Sequence, residues 1–171
     1  MNKELSLAPF FQIRKADSND CKAILACLEN AFAPYREQYT LQAYADTVLD
    51  AETVQQRLRQ MWLFVAVSEA TIVGTIGCSA HGEVGHLRGM AVLPEWQGTS
   101  AASLLLQAAE SELEKNGCRS VTLDTTSPLT RAIRFYEAHG FSPSGRVSDF
   151  FGMQLYEYSK SLGTASANAT E

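Results

Sequence analysis

From Met90 to Lys115 the chain reads "MAVLPEWQGTSAASLLLQAAESELEK". An apolar run closed by Pro94 passes through a few small residues straight into a helical pattern. A strand that hands over to a helix in so short a loop calls for a layered α/β arrangement, in which the helix covers the sheet. The start of that helix is unusual. Amides at a helix N-terminus carry partial positive charge and favour Asp or Glu in the first turn, yet no acidic residue occurs from Gln97 to Ala109. Either nothing sits against the helix start, or a negative group arrives from outside the chain. Small residues let a ligand approach the main chain, and unpaired helix-start amides suit phosphate oxygens. A plain cap by Thr99 or Ser100 accounts for the same residues.

The other segments fill in the layers. "FFQIRKA" (10–16) predicts a strand. "DSNDCKAILACLENAFA" predicts a helix capped by Ser18 or Asn19, with Ile24, Leu25, Leu28 and Phe32 as its apolar face. Residues 34–61 are polar and tyrosine-rich and end in a helix over "AETVQQRLRQM". "WLFVAVSEATIVGTIGCSA" predicts two strands about a tight turn at Glu69-Ala70. After a strand in "EVGHLRGMAVLP", the helix over 98–115 offers Leu104, Leu105, Ala108 and Leu113 for packing and exits through Asn116-Gly117. "SVTLDT" predicts a strand. "SPLTRAIRFYEAHG" predicts a helix started by Ser127-Pro128 and stopped by Gly140, and "DFFGMQLYEYSK" one closing strand. The expected fold is α/β, a mixed, mostly antiparallel sheet with helices on both faces, in a single domain over 1–160. The remainder, 161–171, is poor in apolar content and predicts a disordered tail.

Composition limits the partners. With 171 residues, 46% hydrophobic and 19% charged, the chain has the make-up of an ordinary globular domain with a proper core. A net charge of -5 argues against a nucleic-acid or anionic-membrane surface. Any anionic ligand must therefore be held by local donors. "MNKELSLAPFFQIRK" has no long apolar core, and no stretch is long enough to span a bilayer. Cys21, Cys27, Cys78 and Cys118 show no metal-type spacing and read as free thiols in a reducing cytoplasm. With only His81, His86 and His139 available, no metal site is expected.

"MAVLPEWQGTSAASLLLQ" resembles the acetyl-coenzyme-A signature of the GCN5-related N-acetyltransferase (GNAT) family, a strand followed by Arg/Gln-x-x-Gly-x-Gly/Ala opening a helix. Further along, "TRAIRFYEAHGF" resembles that family's second signature, through Arg131, Ala132, Tyr136, Gly140 and Phe141. The resemblance covers 62–142 and is compatible with 10–61. It implies acetyl-CoA as co-substrate. On the strand end Met90-Ala91-Val92, backbone groups of Met90 and Val92 would pair with the pantetheine arm. The amides of Gln97, Gly98, Thr99, Ser100, Ala101 and Ala102 would hold the pyrophosphate. Two positions depart from the pattern: Ser100 stands for the motif glycine, and Leu129 for a frequent asparagine. Gly89, inside a strand, marks a bulge or a close approach, and in the family this strand splays from the next to admit the thioester. A plain strand glycine is the other account.

Acetyl transfer needs a neutral attacking amine and a stabilised or protonated leaving thiolate. The resemblance implies Tyr136 as the acid beside the sulfur. Where the family often has a glutamate base, this chain has His86, whose intrinsic pKa suits a base near neutrality. A structural histidine fits as well, and Glu83 is an alternative base. His139 is expected to complement a helix C-terminus. Tyr35, Glu37, Tyr39, Tyr44 and Asp46 lie in the segment that, by the family's plan, covers the acceptor. The expected function is acetyl transfer to a small-molecule or peptide amine, by direct attack in a ternary complex, and a homodimer is compatible with the resemblance. A non-catalytic acyl-CoA-binding module on the same fold is the second reading. A Rossmann oxidoreductase is a poor third, since no GxGxxG opens a helix after the first strand.

Overall fold

The computed structural model of the chain describes residues 8–163. In chain order the elements are β1 (Gln12–Lys15), α1 (Cys21–Phe32), α2 (Leu41–Val48), α3 (Ala51–Gln60), β2 (Trp62–Ser68), β3 (Thr71–His81), β4 (Val84–Val92), α4 (Ala101–Lys115), β5 (Ser120–Thr125), α5 (Thr130–Ala138), β6 (Ser142–Phe150) and β7 (Met153–Ser161). The strands form one seven-stranded sheet in the order β1-β2-β3-β4-β5-β7-β6. All neighbours run antiparallel except β4 and β5. No helix among the described residues is long and apolar enough to cross a membrane.

The alternation of side chains along a strand divides the core in two. Leu63 and Val65 of β2 face α1 and α3, packing with Ile24, Leu28 and Val54. Phe64 and Ala66 face the other way and pack with α4 and α5 through Leu105, Leu106, Leu113 and Tyr136. On α4 the buried face is Ala101, Leu105, Leu106, Ala109 and Leu113, so Leu104 and Ala108 lie at the flank of the expected stripe. Leu113 is fully buried against Gly85 of β4, where an added Cβ would stand 2.5 Å from its Cδ1. Gly85→Ala is therefore expected to destabilise the fold by about 1–3 kcal/mol, the usual cost of overpacking, as a denaturant titration would show.

Turn chemistry follows the sequence at several joints. Glu69 and Ala70 both adopt positive φ in the β2–β3 turn, and Gly117 and Gly140 end α4 and α5 in the left-handed region. Elsewhere the structure differs. The first helical segment is capped by Asp17, in a capping box completed by Asp20, and not by Ser18 or Asn19. Asp20 also takes a bidentate pair from Arg14 at 2.7 and 2.9 Å, tying β1 to the helix start. An additional helix, α2, is capped by Thr40 and buries only Ala43. The expected closing strand is a hairpin, β6 and β7, turning at Phe151-Gly152 with both residues at positive φ. Ser161 ends β7 and Leu162 is buried; residues 164–171 of the expected tail lie outside the described residues.

One irregularity positions the site. Thr75 pairs with Ala91 and Gly77 with Arg88, so Ile76 faces two residues of β4, Gly89 and Met90. This is a bulge, and Gly89 takes φ +63 to make it. The parallel β4–β5 ladder stops just before it, at Leu87 and Leu123. Beyond that point β5 continues with β7 alone, and the two middle strands part.

Candidate active site

Where β4 and β5 separate, a cavity of about 830 Å³ opens. Leu93 donates its amide to Val73, and Ala91 pairs with Thr75 on β3. By backbone alternation, the main-chain groups of Met90 and Val92 point the other way, into the gap. The Val92 carbonyl accepts a 3.1 Å hydrogen bond from the Gln97 side chain, which sits on this same edge.

The start of α4 forms one end of the cavity. Gly98 has φ +79, a conformation that side chains disfavour, and an added Cβ would lie 3.4 Å from the Arg131 guanidinium. Thr99 donates its hydroxyl to the Trp96 carbonyl at 2.6 Å and accepts from the Ala101 amide at 3.4 Å. Ser100 occupies the cap position without a side-chain capping bond. Among the described residues, the amides of Gly98, Thr99, Ser100, Ala102 and Ser103 meet no acceptor, and the first turn carries no acid. A cap by Ser100 is thus absent, and Thr99 reaches the Ala101 amide alone, by a long bond. Ser100 has φ −75, which any residue adopts, so the glycine of the resembling motif is not needed here for backbone reasons. Its side chain and that of Ala101, which is fully buried, do not line the cavity. Met90, Ala91, Val92, Gln97, Gly98, Thr99 and Ala102 do, with Arg131 and Arg134 of α5 beside them.

Tyr136 stands in the wall of the gap. Its hydroxyl donates to the Met90 sulfur at 3.4 Å, and burial pushes the phenol well above its ordinary pKa, so it stays protonated. Close by in sequence to β5's end, the buried Thr125 hydroxyl also lines the cavity and has no partner among the described residues. Unpaired buried hydroxyls are uncommon, and a ligand in the gap would give it one.

His86 lines the opposite part. Its Nδ1 is 2.8 Å from the Thr122 hydroxyl and its Nε2 3.6 Å from an Asp124 carboxylate oxygen. Thr122 in turn donates to the Gly85 carbonyl at 3.4 Å. With its proton on Nδ1 the ring donates to Thr122 and carries the lone pair on Nε2; with its proton on Nε2 it faces Asp124 as a donor and accepts from Thr122. Burial lowers the His86 pKa, outweighing the opposing pull of Asp124, and so favours the neutral ring. Glu83, the alternative base, is exposed, pairs with Arg119 at 3.4 Å and does not line the cavity. His139 bonds the Phe135 carbonyl at the end of α5 through Nδ1, at 2.7 Å, and Ser103 through Nε2.

Of the acceptor-side candidates, Tyr35, Tyr39 and Asp46 reach the cavity, whereas Glu37 and Tyr44 do not. Tyr39 closes one flank by a 2.6 Å bond to Thr126. The structure adds Arg57, Arg88 and Asp124 to this side. None carries a local signature: Arg57 looks, in "QQRLRQ", like its exposed neighbour Arg59.

An open strand edge that leads to unpaired helix amides, with a buried phenol between them, invites comparison with known proteins. Residues 23–141 match the acetyltransferase (GNAT) family. The chain belongs to this family. Its GNAT relatives include the N-acetyltransferase YodP of Bacillus subtilis, 27% identical over 107 residues (61% of this chain, 36% of that one). Mycothiol acetyltransferase of Brachybacterium faecium is 31% identical over 140 residues (76% and 40%). The chain thus spans less than half the length of these curated relatives. In fold it is similar to the PaiA N-acetyltransferase of Thermoplasma acidophilum, solved in complex with coenzyme A, with TM-score 0.75, 18% identity, and 89% and 99% of the two chains covered. It is also similar to the ribosomal-protein-S18-alanine N-acetyltransferase of Escherichia coli, with TM-score 0.74, 16% identity, and 95% and 100% covered.

Proposed function

We propose that the chain transfers an acetyl group from acetyl-CoA to a primary amine by direct attack in a ternary complex. The observation that carries this reading is the continuity of one cavity from the free amides at the start of α4, along the open β4 edge, to Tyr136 and His86. The residues present suit coenzyme A. Unpaired amides and Arg131 match phosphate oxygens, the edge groups of Met90 and Val92 match an amide-bearing arm, and the Thr125 hydroxyl lacks only a partner. When bound, acetyl-CoA supplies an activated thioester. Gly98 to Ser103 and the β4 edge hold and orient it, which can supply much of the rate. His86 takes a proton from the incoming ammonium at Nε2, and Asp124, 3.6 Å away, stabilises the imidazolium. Tyr136 keeps a proton on its hydroxyl for the departing sulfur. All four cysteines are free and buried, with Cys27 and Cys78 pushed up to about 11 and about 12 by burial. None lines the cavity, in keeping with attack that forms no enzyme thioester.

The test is an amine panel in which release of coenzyme A thiol from acetyl-CoA is followed across pH. Because burial lowers the His86 pKa, the acid limb of kcat/KM should inflect below the ordinary imidazole range, the rate falling as pH drops through that lowered value. His86→Gln should lower the rate and remove this limb, recovering in alkali where the free amine predominates. A variant profile that superimposes on wild type would take His86 out of the reaction. Coenzyme A binding without turnover of any amine would favour a binding module on the same fold.

A further inference from the structure

We infer that the acceptor is a small amine bearing a carboxylate, amino acids being the simplest members, and that Arg57 holds that carboxylate. The inference rests on the acetyltransferase reading of this same cavity. Arg57 projects from α3 into the cavity and is half-buried. Among the described residues its guanidinium makes no ion pair and donates no hydrogen bond. The charges that act on it are those of Arg88 and Asp46, and Asp46 lies 3.9 Å from Arg88. One carboxylate thus serves two arginines, and burial leaves Arg57 lowered to about 10. Desolvating a charge without a partner is costly, and a guanidinium is built for bidentate carboxylate pairing.

Its position is as telling as its lack of a partner. Arg57 Nη1 lies 2.9 Å from where a Cβ on Gly89 would stand. The guanidinium therefore occupies space left by the bulge glycine, at the end of the open β4 edge. His86 and Asp124 border the same cavity from β4 and β5. An unmatched cation on the α3 side and a carboxylate with a neutral imidazole on the other make the electrostatic complement of a zwitterion. A polycationic amine would instead meet both Arg57 and Arg88.

The experiment compares free amino acids with their methyl esters as acceptors, using wild type, Arg57→Met and Arg57→Lys. In parallel, N-acetyl amino acids and their esters are titrated calorimetrically into each coenzyme-A-loaded protein. Wild type should prefer the free acid by roughly tenfold or more, the scale of one charge-assisted hydrogen bond. Arg57→Met should lose the preference through KM with kcat nearly kept, and Arg57→Lys should keep part of it. The wild-type comparison needs no variant to fold, and retained coenzyme A affinity certifies those that do. Equal use of acid and ester by wild type, or an undiminished preference in Arg57→Met, overturns the inference while leaving acetyl transfer standing. If no amine is turned over, acetyl transfer fails, and the titrations decide: binding of the N-acetyl acid in wild type but not in Arg57→Met upholds a carboxylate site. Equal binding to both, or none to either, removes it.

Discussion

Ala102→Asp is expected to weaken coenzyme A binding by roughly 100-fold or more while leaving the protein at least as stable. The two effects have opposite signs for one reason. Residue 102 lies in the first turn of α4, which carries no acid. A carboxylate there interacts favourably with the helix dipole, worth about 0.3–1 kcal/mol. The same carboxylate would face the pyrophosphate proposed to occupy the free amides. Two unit charges 4 Å apart repel by about 4 kcal/mol at an effective dielectric of 20, and solvent screening reduces that without abolishing it. Gly98→Asp is a poorer probe, because φ +79 would strain any side chain and confound binding with folding. Calorimetry and a thermal melt on the same sample give the two signs. A folded Ala102→Asp protein with wild-type affinity would mean that the phosphates bind elsewhere.

Tyr136→Phe should lower kcat by roughly 100-fold or more, the range for general acid catalysis, with little change in KM. The ring stays against Phe135 and Phe141, where its aromatic contacts lie. Only the hydroxyl and its weak bond to the Met90 sulfur are lost. An effect on kcat and kcat/KM alike would mark an interaction made in the transition state. Since burial holds the phenol protonated, wild type should show no loss of rate from tyrosinate formation in moderate alkali. Unchanged turnover in the phenylalanine variant would mean that the thiolate leaves without this proton.

The half of the cavity proposed to hold the cofactor was readable as one unit because it is local. Met90 to Ala102 form one continuous strand–loop–helix, and the acid-free first turn states its electrostatics in the sequence itself. Gly89 read equally as a bulge or close approach and as a plain strand glycine, and only its φ of +63 and the shifted register decide for the bulge. The half proposed for the acceptor is assembled from α1, α2, α3, β4, β5 and the β6–β7 hairpin, and no window of sequence brings Arg57 near Gly89. The missed hairpin has a different cause. Phe151-Gly152 lacks the usual Asn-Gly or Asp-Gly signal, and β6 is exposed along almost its whole length, so no alternation betrays it. The helix α2 buries one alanine and offers little periodicity to read.

The parting of β4 and β5 has a consequence for how the protein behaves among its neighbours in solution. A row of unpaired strand amides and carbonyls is a template for aggregation when it lies at the rim of a sheet. The two rims are guarded by familiar means. β1 is only four residues long, and β6 carries Pro143 and Gly145 where its pairing with β7 is interrupted. The row at Met90 and Val92, where the Val92 carbonyl accepts from the Gln97 side chain, instead sits in the middle of the sheet, where the β4–β5 ladder has ended. An edge placed inside its own sheet opens onto a cavity of the same molecule, with β5 as the neighbouring strand, and not onto the outer rim where sheets pair edge to edge.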